Sequence, residues 1–296
     1  MSLYQKMELV KKIDDMIEDV ESIVIFKDEK KYGKLLTQLN NVLLNTFDDL
    51  QVETLKSVIH YLVYKGKKKF TAADAEKVKK IIEKRLGKSL TDLMEDNVIS
   101  LHEKIYKLGV DEVAKSVNMK LSFTTNDVAA AEILGNHGLF WVGEHYSETM
   151  TKEFDEALSG YFDSDKSLQD VADGFEKQWE GIVTRSKSYY TGLAEHTTNR
   201  VRELGKVTGY EKAGITEYEI VAIIDDHTSE ICESMNGRTF TVERAVKFRD
   251  DLLALKSPAD IKELAPWRKP DEVKNIDTKD LPPGLELPPY HWRCRT

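Results

Sequence analysis

The stretch YEIVAIIDDHTSEICESMNGRTF, residues 218–240, marks the place where the sequence changes from helical to β patterning. Residues 218–224 are rich in β-branched side chains, and Tyr218, Ile220, Ala222 and Ile224 alternate with Glu219, Val221 and Ile223. This pattern predicts a strand. Residues 229–235 then predict a short helix, and the Asn-Gly pair at 236–237 predicts a turn. With a second strand expected at 238–240, the segment predicts a small β element that contains one helix.

Upstream of this element the apolar residues recur at helical spacing. All seven prolines lie at or beyond Pro258, so no proline interrupts a helix before that residue. Capping boxes predict helix starts at Thr71, Ser89 and Ser167, because each is followed three residues later by Asp. We expect helices at about 3–26, 31–46, 50–65, 71–86, 88–108, 127–134, 139–158, 168–184, 186–204 and 241–256, and a short one after Pro258.

The length and composition are those of a globular protein with two domains. The chain has 296 residues, of which 41% are apolar and 32% charged, which excludes fibrous and largely disordered classes. An irregular stretch at 114–125 is the expected boundary. We predict a helical N-terminal domain at 1–120 that serves assembly and partner binding, and a second domain at 121–296. The fold class is α+β and predominantly α-helical, with a Pro-rich C-terminal tail.

Several function classes are disfavoured by what the sequence lacks. No apolar run approaches the roughly 20 residues that cross a bilayer, and the N-terminus mixes Lys with Asp and Glu, so we expect neither a membrane helix nor a secretory signal. Two cysteines are too few for a disulfide scaffold, which favours a reducing interior. A net charge of −9 disfavours non-specific DNA coating. The common nucleotide-binding and hydrolase motifs are absent from the sequence.

One set of side chains has the chemistry of a metal site. Cys232 lies in the predicted short helix, and His291 and Cys294 are three residues apart near the C-terminus. Zinc binds thiolate and imidazole ligands, usually four in a tetrahedron. The candidates for the fourth ligand are water, His227, Asp225 and Asp226. The alternative is that both cysteines are small buried apolar residues and that His291 is a hydrogen-bonded turn residue.

Five segments in the second part of the chain carry a resemblance. In chain order they are 194–200 (AEHTTNR), 209–215 (GYEKAGI), 225–232 (DDHTSEIC), 236–240 (NGRTF) and 288–295 (PPYHWRCR). From about residue 125 onward, their order and separation resemble those of the phage Mu F-like minor head protein family, the minor capsid proteins of tailed phages and prophages. The sequence departs from the family pattern at four positions. Ser229 and Thr296 stand where many members have Cys, His227 replaces the usual Arg, and Trp292 replaces the usual Pro.

The resemblance implies a structural role rather than an enzymatic one. Such a protein would lie in the virion interior, after assembly in the host cytoplasm, and would take part in head morphogenesis and in DNA packaging or ejection. The implied partners are the portal protein and other capsid proteins, with packaged DNA as a further contact and no membrane. Zinc is the one candidate cofactor, with Cys232, His291 and Cys294 as its ligands.

We interpret these residues as a structural clasp, in which the Pro-rich tail returns and its last residues dock near residues 225–240. The clasp would consist of Asp225, Thr228, Cys232, Gly237, His291, Cys294 and Arg295. Asp225 and Thr228 would cap the short helix and bind Arg293 or Arg295. Two alternatives remain open: a metal-dependent nuclease or toxin-like hydrolase that uses the His291, Cys294 and Cys232 cluster, and a soluble helical adaptor unrelated to phages.

Overall fold

The computed structural model describes residues 25–65, 69–87, 89–161 and 167–296. The helix expected at 3–26 falls almost entirely outside these residues. By contacts the chain divides into two units, Met1–Lys34 and Leu35–Thr296. All residues of the predicted clasp belong to the second unit. The division near residue 120, which rests on sequence patterning, stays a prediction.

The described part of the chain is predominantly helical, with one small sheet, and this confirms the predicted fold class. In chain order the longer elements are α1 (Ile25–Lys65), α2 (Ala72–Ile82), α3 (Leu90–Ser116), α4 (Thr125–Glu144), α5 (Thr151–Ser159), α6 (Leu168–Lys212), β1 (Glu217–Glu219), α7 (Glu230–Met235), β2 (Thr239–Thr241), α8 (Val242–Leu253) and α9 (Ile261–Leu264). A π-helical segment, His145–Met150, joins α4 to α5. No described helix is long and apolar enough to cross a membrane.

Three breaks predicted between helices fall inside continuous helices. The break expected between 127–134 and 139–158 lies within α4, although Gly135 and Gly138 are there. The helices expected at 31–46 and 50–65 are both part of α1, and those expected at 168–184 and 186–204 are both part of α6. Neither of these last two junctions contains Gly or Pro, so no residue there favours a break. The predicted separations were wrong because they rested on shifts in the apolar pattern alone.

Helices begin at all three predicted positions, and the predicted capping box forms at two of them. Thr71 and Ser167 accept hydrogen bonds from the main-chain N–H groups of Asp74 and Asp170, and both boxes are complete. The helix after Ser89 begins at Leu90 as predicted, but Ser89 makes no such bond, so only its capping box is missing. The backbone of Ser89 is already in the helical region, whereas a capping side chain needs the extended conformation to reach the first turn.

Two glycines bring the main chains of α3 and α6 together. A Cβ atom on Gly109 would overlap the main-chain oxygen of Arg202, and one on Gly205 would overlap that of Tyr106. One turn further along α6, the hydroxyls of Tyr106 and Thr208 lie 2.5 Å apart in the core. Because α6 also contacts the C-terminal segment, this close packing fixes the surface on which the clasp is built.

The sheet is shorter than predicted. Glu217–Glu219 pairs with Thr239–Thr241 in antiparallel register, with Tyr218 opposite Phe240. The first strand was expected to reach residue 224 but ends at residue 219. Beyond it, Ile220 exchanges main-chain hydrogen bonds with residues 237 and 238, and the N–H of Ala222 donates to the side chain of Asn236. The ladder stops there because α7 and its turn occupy the positions of a partner strand.

Candidate functional site

The C-terminal segment returns to the β element and is buried against it. Cys294 and Tyr290 are buried in the same apolar cluster as Cys232 and Phe240. The cluster also contains Ile220, Ala222, Ile231, Met235, Val273, Leu281 and Leu285. The docking expected from the sequence is therefore present, and it rests mainly on burial of apolar surface.

Three potential metal ligands meet at this interface. The Sγ atom of Cys232 lies 3.2 Å from Nε2 of His291 and 3.5 Å from Sγ of Cys294. All three donor atoms lie within 4.8 Å of one another. A tetrahedral zinc ion with bonds of about 2.3 Å to sulfur and 2.0 Å to nitrogen separates two sulfurs by about 3.8 Å and sulfur from nitrogen by about 3.5 Å. The two separations measured from Sγ of Cys232 lie within a few tenths of an ångström of those values.

The orientation of His291 also suits metal binding. Its Nδ1 lies 2.8 Å from the main-chain oxygen of Trp292, so Nδ1 carries the proton and donates to that carbonyl. Nε2 then presents its lone pair to the two sulfurs, as in metal sites whose second imidazole nitrogen is held by a carbonyl. Arg293 has a φ of 58°, and this turn places His291 and Cys294 on the same side of the segment.

The pKa values of the two thiols shift in opposite directions. The pKa of Cys294 lies below its ordinary value, chiefly because the thiol of Cys232 donates a hydrogen bond to it, and main-chain groups of Tyr290 and Thr296 add to the effect. The pKa of Cys232 is raised by the same interaction and by burial. One thiolate is therefore available near neutral pH, and a thiolate is the form that binds a metal ion.

The cluster supplies three protein ligands. Among the described residues, no fourth His, Cys, Asp or Glu joins the group, so none of Asp225, Asp226 and His227 belongs to it. Of the fourth ligands considered from the sequence, the exclusion of these three side chains leaves water. With two sulfurs and one imidazole in place, the donor set fits zinc bound in a three-ligand arrangement.

Asp225 has a different partner. Its carboxylate accepts two hydrogen bonds from the guanidinium of Arg295, at 2.6 and 2.8 Å, and a third from the main-chain N–H of His227. The pKa of Asp225 is well below its ordinary value, mainly because of Arg295. This paired geometry is the strongest form of a carboxylate–guanidinium contact and ties the end of the tail to the loop before α7.

The cap of α7 is not the predicted one. Ser229 caps the helix, and its side chain accepts from the main-chain N–H of Cys232. Thr228 instead stabilises the preceding loop, since its hydroxyl donates to the main-chain oxygen of Ile223 and accepts from the N–H of Asp225. The sequence prediction placed the cap one residue too early because Thr228 and Ser229 are both good capping residues.

Gly237 and Arg293 contact different parts of the fold. Gly237 has a φ of 76°, which a side chain would disfavour, and its N–H donates to the main-chain oxygen of Ile220. Arg293 does not bind Asp225. Its guanidinium donates to the main-chain oxygen of Ser188 on α6 and lies 3.4 Å from Glu195. Arg295 and Arg293 therefore bind different elements, the loop and the long helix.

The structure adds a residue of α6 to the site. Asn199 is buried, and its side-chain amide donates to the main-chain oxygens of Cys294 and Thr296, at 2.9 and 3.2 Å. It lies in one of the five segments that carry the resemblance, but no role in the site was predicted for it. Its position in the segment 194–200 was the available signal.

Two arginines hold the Pro-rich segment by its main chain. Arg238 donates to the carbonyl oxygens of Val273 and Ile276. Arg244 donates to the carbonyl oxygens of Thr278, Leu281 and Pro282, and to the carboxylate of Glu286 at 2.7 Å. Sequence reasoning missed both, because contacts from a side chain to distant carbonyls leave no pattern in the sequence.

Comparison with known proteins adds no relative. No family model matches the chain, and neither the curated proteins nor the solved structures include a significant match.

Proposed function

We propose that this chain is a phage or prophage minor head protein, a minor capsid protein that acts at the portal during head morphogenesis and DNA packaging or ejection. The observation that carries the proposal is that residues from separate resembling segments meet at one site. Asn199, Cys232 and Cys294 come from three of them and are in mutual contact or one contact apart. Motifs that share a site in this way are expected of one ancestral domain.

The surface beside the clasp favours a binding role. Val221, Ile223 and Ile224 follow β1 and are 71%, 56% and 56% exposed. Adjacent exposed apolar residues on a protein of net charge −9 are typical of a contact surface for another protein. We assign portal or capsid contact to this exposed apolar loop, residues 221–224.

The test is co-purification with the portal protein of the same genome. Full-length chain is co-expressed with that portal protein, and we expect the two to elute together. A variant with Val221→Ser, Ile223→Ser and Ile224→Ser should lose the association while keeping the thermal transition of the parent. Leu93→Ser is the matched control, because Leu93 is 58% exposed on α3. Failure of the parent chain to bind the portal protein, together with its absence from purified particles, would contradict the proposal.

The variant His291→Ala distinguishes the hydrolase alternative from a structural role. Both sulfurs of the cluster are buried, which favours a structural role because a catalytic metal needs access for its substrate. We expect His291→Ala to lower the thermal transition and to change no nuclease activity. Metal-dependent cleavage of DNA or RNA by the parent, lost in a variant of unchanged stability, would instead support an enzyme.

A further inference from the structure

A second site lies on the other side of the terminal segment. A cleft of about 530 Å³ is enclosed by α4, α6, the end of α8, α9 and residues 265–267, with Trp292 as part of its wall. Its volume is in the range of pockets that hold small organic ligands. Trp292 thus separates this cleft from the cysteine–histidine cluster, and none of the three cluster residues lines it.

Aromatic rings form most of the wall. Trp292 stacks on Tyr189 with 5.5 Å between ring centroids and on His196 with 5.6 Å. Trp141 and Trp267 also line the cleft, and Trp267 is 59% exposed at its rim. Planar apolar walls of this kind favour a ligand with an aliphatic or aromatic body.

A guanidinium without a partner lines the same cleft. The Nε and Nη1 atoms of Arg200 are shielded from solvent and have no hydrogen-bond partner in the part of the chain that the structure describes. Burial lowers the pKa of Arg200 to about 10, so it stays charged at neutral pH. A buried charge with open donors is costly, and an anion placed against it would offset that cost.

The described groups around Arg200 do not supply an anion that pairs with its guanidinium, so a ligand can supply it. No Asp or Glu is among the described residues that line the cleft. Among the described residues, Cys294 is the anionic group that acts on Arg200, and it hydrogen-bonds Cys232 instead. His137 and His196 are close enough to interact with the guanidinium, and burial lowers the pKa of both imidazoles, so they are neutral and do not neutralise it.

A second cation lies at the wall of the cleft. Nζ of Lys262 is 5.0 Å from the ring centroid of Trp141, a cation–π contact that holds the ammonium beside the apolar surface. With Arg200 inside and Lys262 at this wall, the charged residues that line the cleft in the described part of the chain are both cations, and Glu144 lies near Lys262 outside the lining.

We propose that this cleft binds an amphiphilic organic acid, with its carboxylate on the guanidinium of Arg200 and its aliphatic or aromatic body against Trp141, Trp267 and Trp292. This activity is additional to the proposed role in assembly and does not depend on it. The open N–H donors of Arg200 carry a positive charge that a carboxylate neutralises and an alcohol does not, which gives the acid an advantage over a neutral molecule of the same shape.

The test compares dodecanoate with dodecanol on the full chain, below their aggregation concentrations, by calorimetry and by tryptophan fluorescence. We expect one dodecanoate per chain and at least about tenfold weaker binding of the alcohol. Arg200→Gln should remove most of the preference for the acid. Arg185→Gln should keep it, because Arg185 is exposed on the same helix and binds Glu153 outside the cleft.

A further variant protects the test against misfolding of Arg200→Gln. Trp267→Ala truncates an exposed side chain and should weaken acid and alcohol alike by about the same factor. The proposal is overturned if dodecanoate does not bind, if acid and alcohol bind equally to the parent, or if Trp267→Ala changes neither. It is also overturned if a folded Arg200→Gln variant keeps the preference for the acid. Loss of portal binding would leave all of these results unchanged.

Discussion

The side-chain amide of Asn199 donates a hydrogen bond to the main-chain oxygen of Cys294, 95 positions further along the chain. Asn199 lies in the last third of α6, the longest described helix, and Cys294 belongs to the metal-ligand cluster. The bond therefore fixes the position of the terminal segment along α6, and with it the position of the Cys294 sulfur. The clasp is fixed to the helical body by this contact as well as by the apolar cluster.

Asn199→Ala should lower the free energy of unfolding by about 1–3 kcal/mol, because it leaves the buried oxygen of Cys294 without its donor. Chemical denaturation measures this change. Gln169→Ala is the control: its amide bonds Asp173 on the exposed first turn of the same helix, and we expect a change below about 0.5 kcal/mol. Equal effects of the two substitutions would show that the contact with Cys294 has no special weight.

Gly205→Ala should destabilise the fold by about 3 kcal/mol or more, since the new methyl group overlaps the main chain of α3 at Tyr106 and the two helices must separate. Thermal unfolding measures the loss. Gly33→Ala is the control within a helix, because a Cβ there meets no atom within 4 Å. It should leave stability unchanged or raise it by up to about 1 kcal/mol. A Gly205→Ala variant as stable as the parent would mean that the helices pack less closely.

Zinc should copurify with the protein at about one ion per chain, and a strong chelator should lower the thermal transition. Cys232→Ser should lose the metal, because it removes the sulfur that lies between the other two donors. Elemental analysis and thermal unfolding measure both effects. His227→Ala should keep the ion, since His227 lies outside the cluster. A metal-free parent whose stability a chelator and added zinc leave unchanged would assign the three residues to packing alone.

Stability should fall as the pH is lowered from about 6.5 to 4, in part because of His102. This imidazole is buried, and burial lowers its pKa to about 4. Over that interval only the unfolded chain takes up the proton, which costs the folded state up to about 3 kcal/mol. Above pH 6.5 both states are neutral at this site, and the contribution is constant.

The variant His102→Gln should show a shallower decline in the free energy of unfolding between pH 6.5 and 4. Denaturation at several pH values measures the slope. The exposed His60 provides the control, and His60→Gln should keep the slope of the parent. If His102→Gln also keeps it, the acid sensitivity comes from other groups.

Local patterns predicted the kinds of elements better than their limits. Helix starts at Thr71 and Ser167 were predictable because a cap and its acid lie within four residues of each other. The continuity of α6 was not, because it depends on packing against α1, α3 and α5, which are distant in the sequence. The first strand ended early because the residues that follow it bond to the turn at 236–237 and not to a strand.

The site was predictable only where the residues have distinctive chemistry. Cys232, His291 and Cys294 are the two cysteines of the chain and one nearby histidine, so their chemical type suggested a common site. Arg200 and Arg244 are two among 43 basic residues, and their roles depend on distant groups that no local pattern reveals. The close approach of α3 and α6 at Gly109 and Gly205 was not predicted, because this contact exists only in three dimensions.

Arg238 and Arg244 bind carbonyl oxygens of the Pro-rich segment, so this part of its attachment does not depend on the outward side chains, while Val273 and Leu281 hold it through the apolar cluster. Every amino acid offers the same carbonyl, so substitutions at outward positions of 273–282 leave the anchorage intact. The protein can therefore remodel the face of this segment to follow a changing neighbour, while its path over the body stays the same.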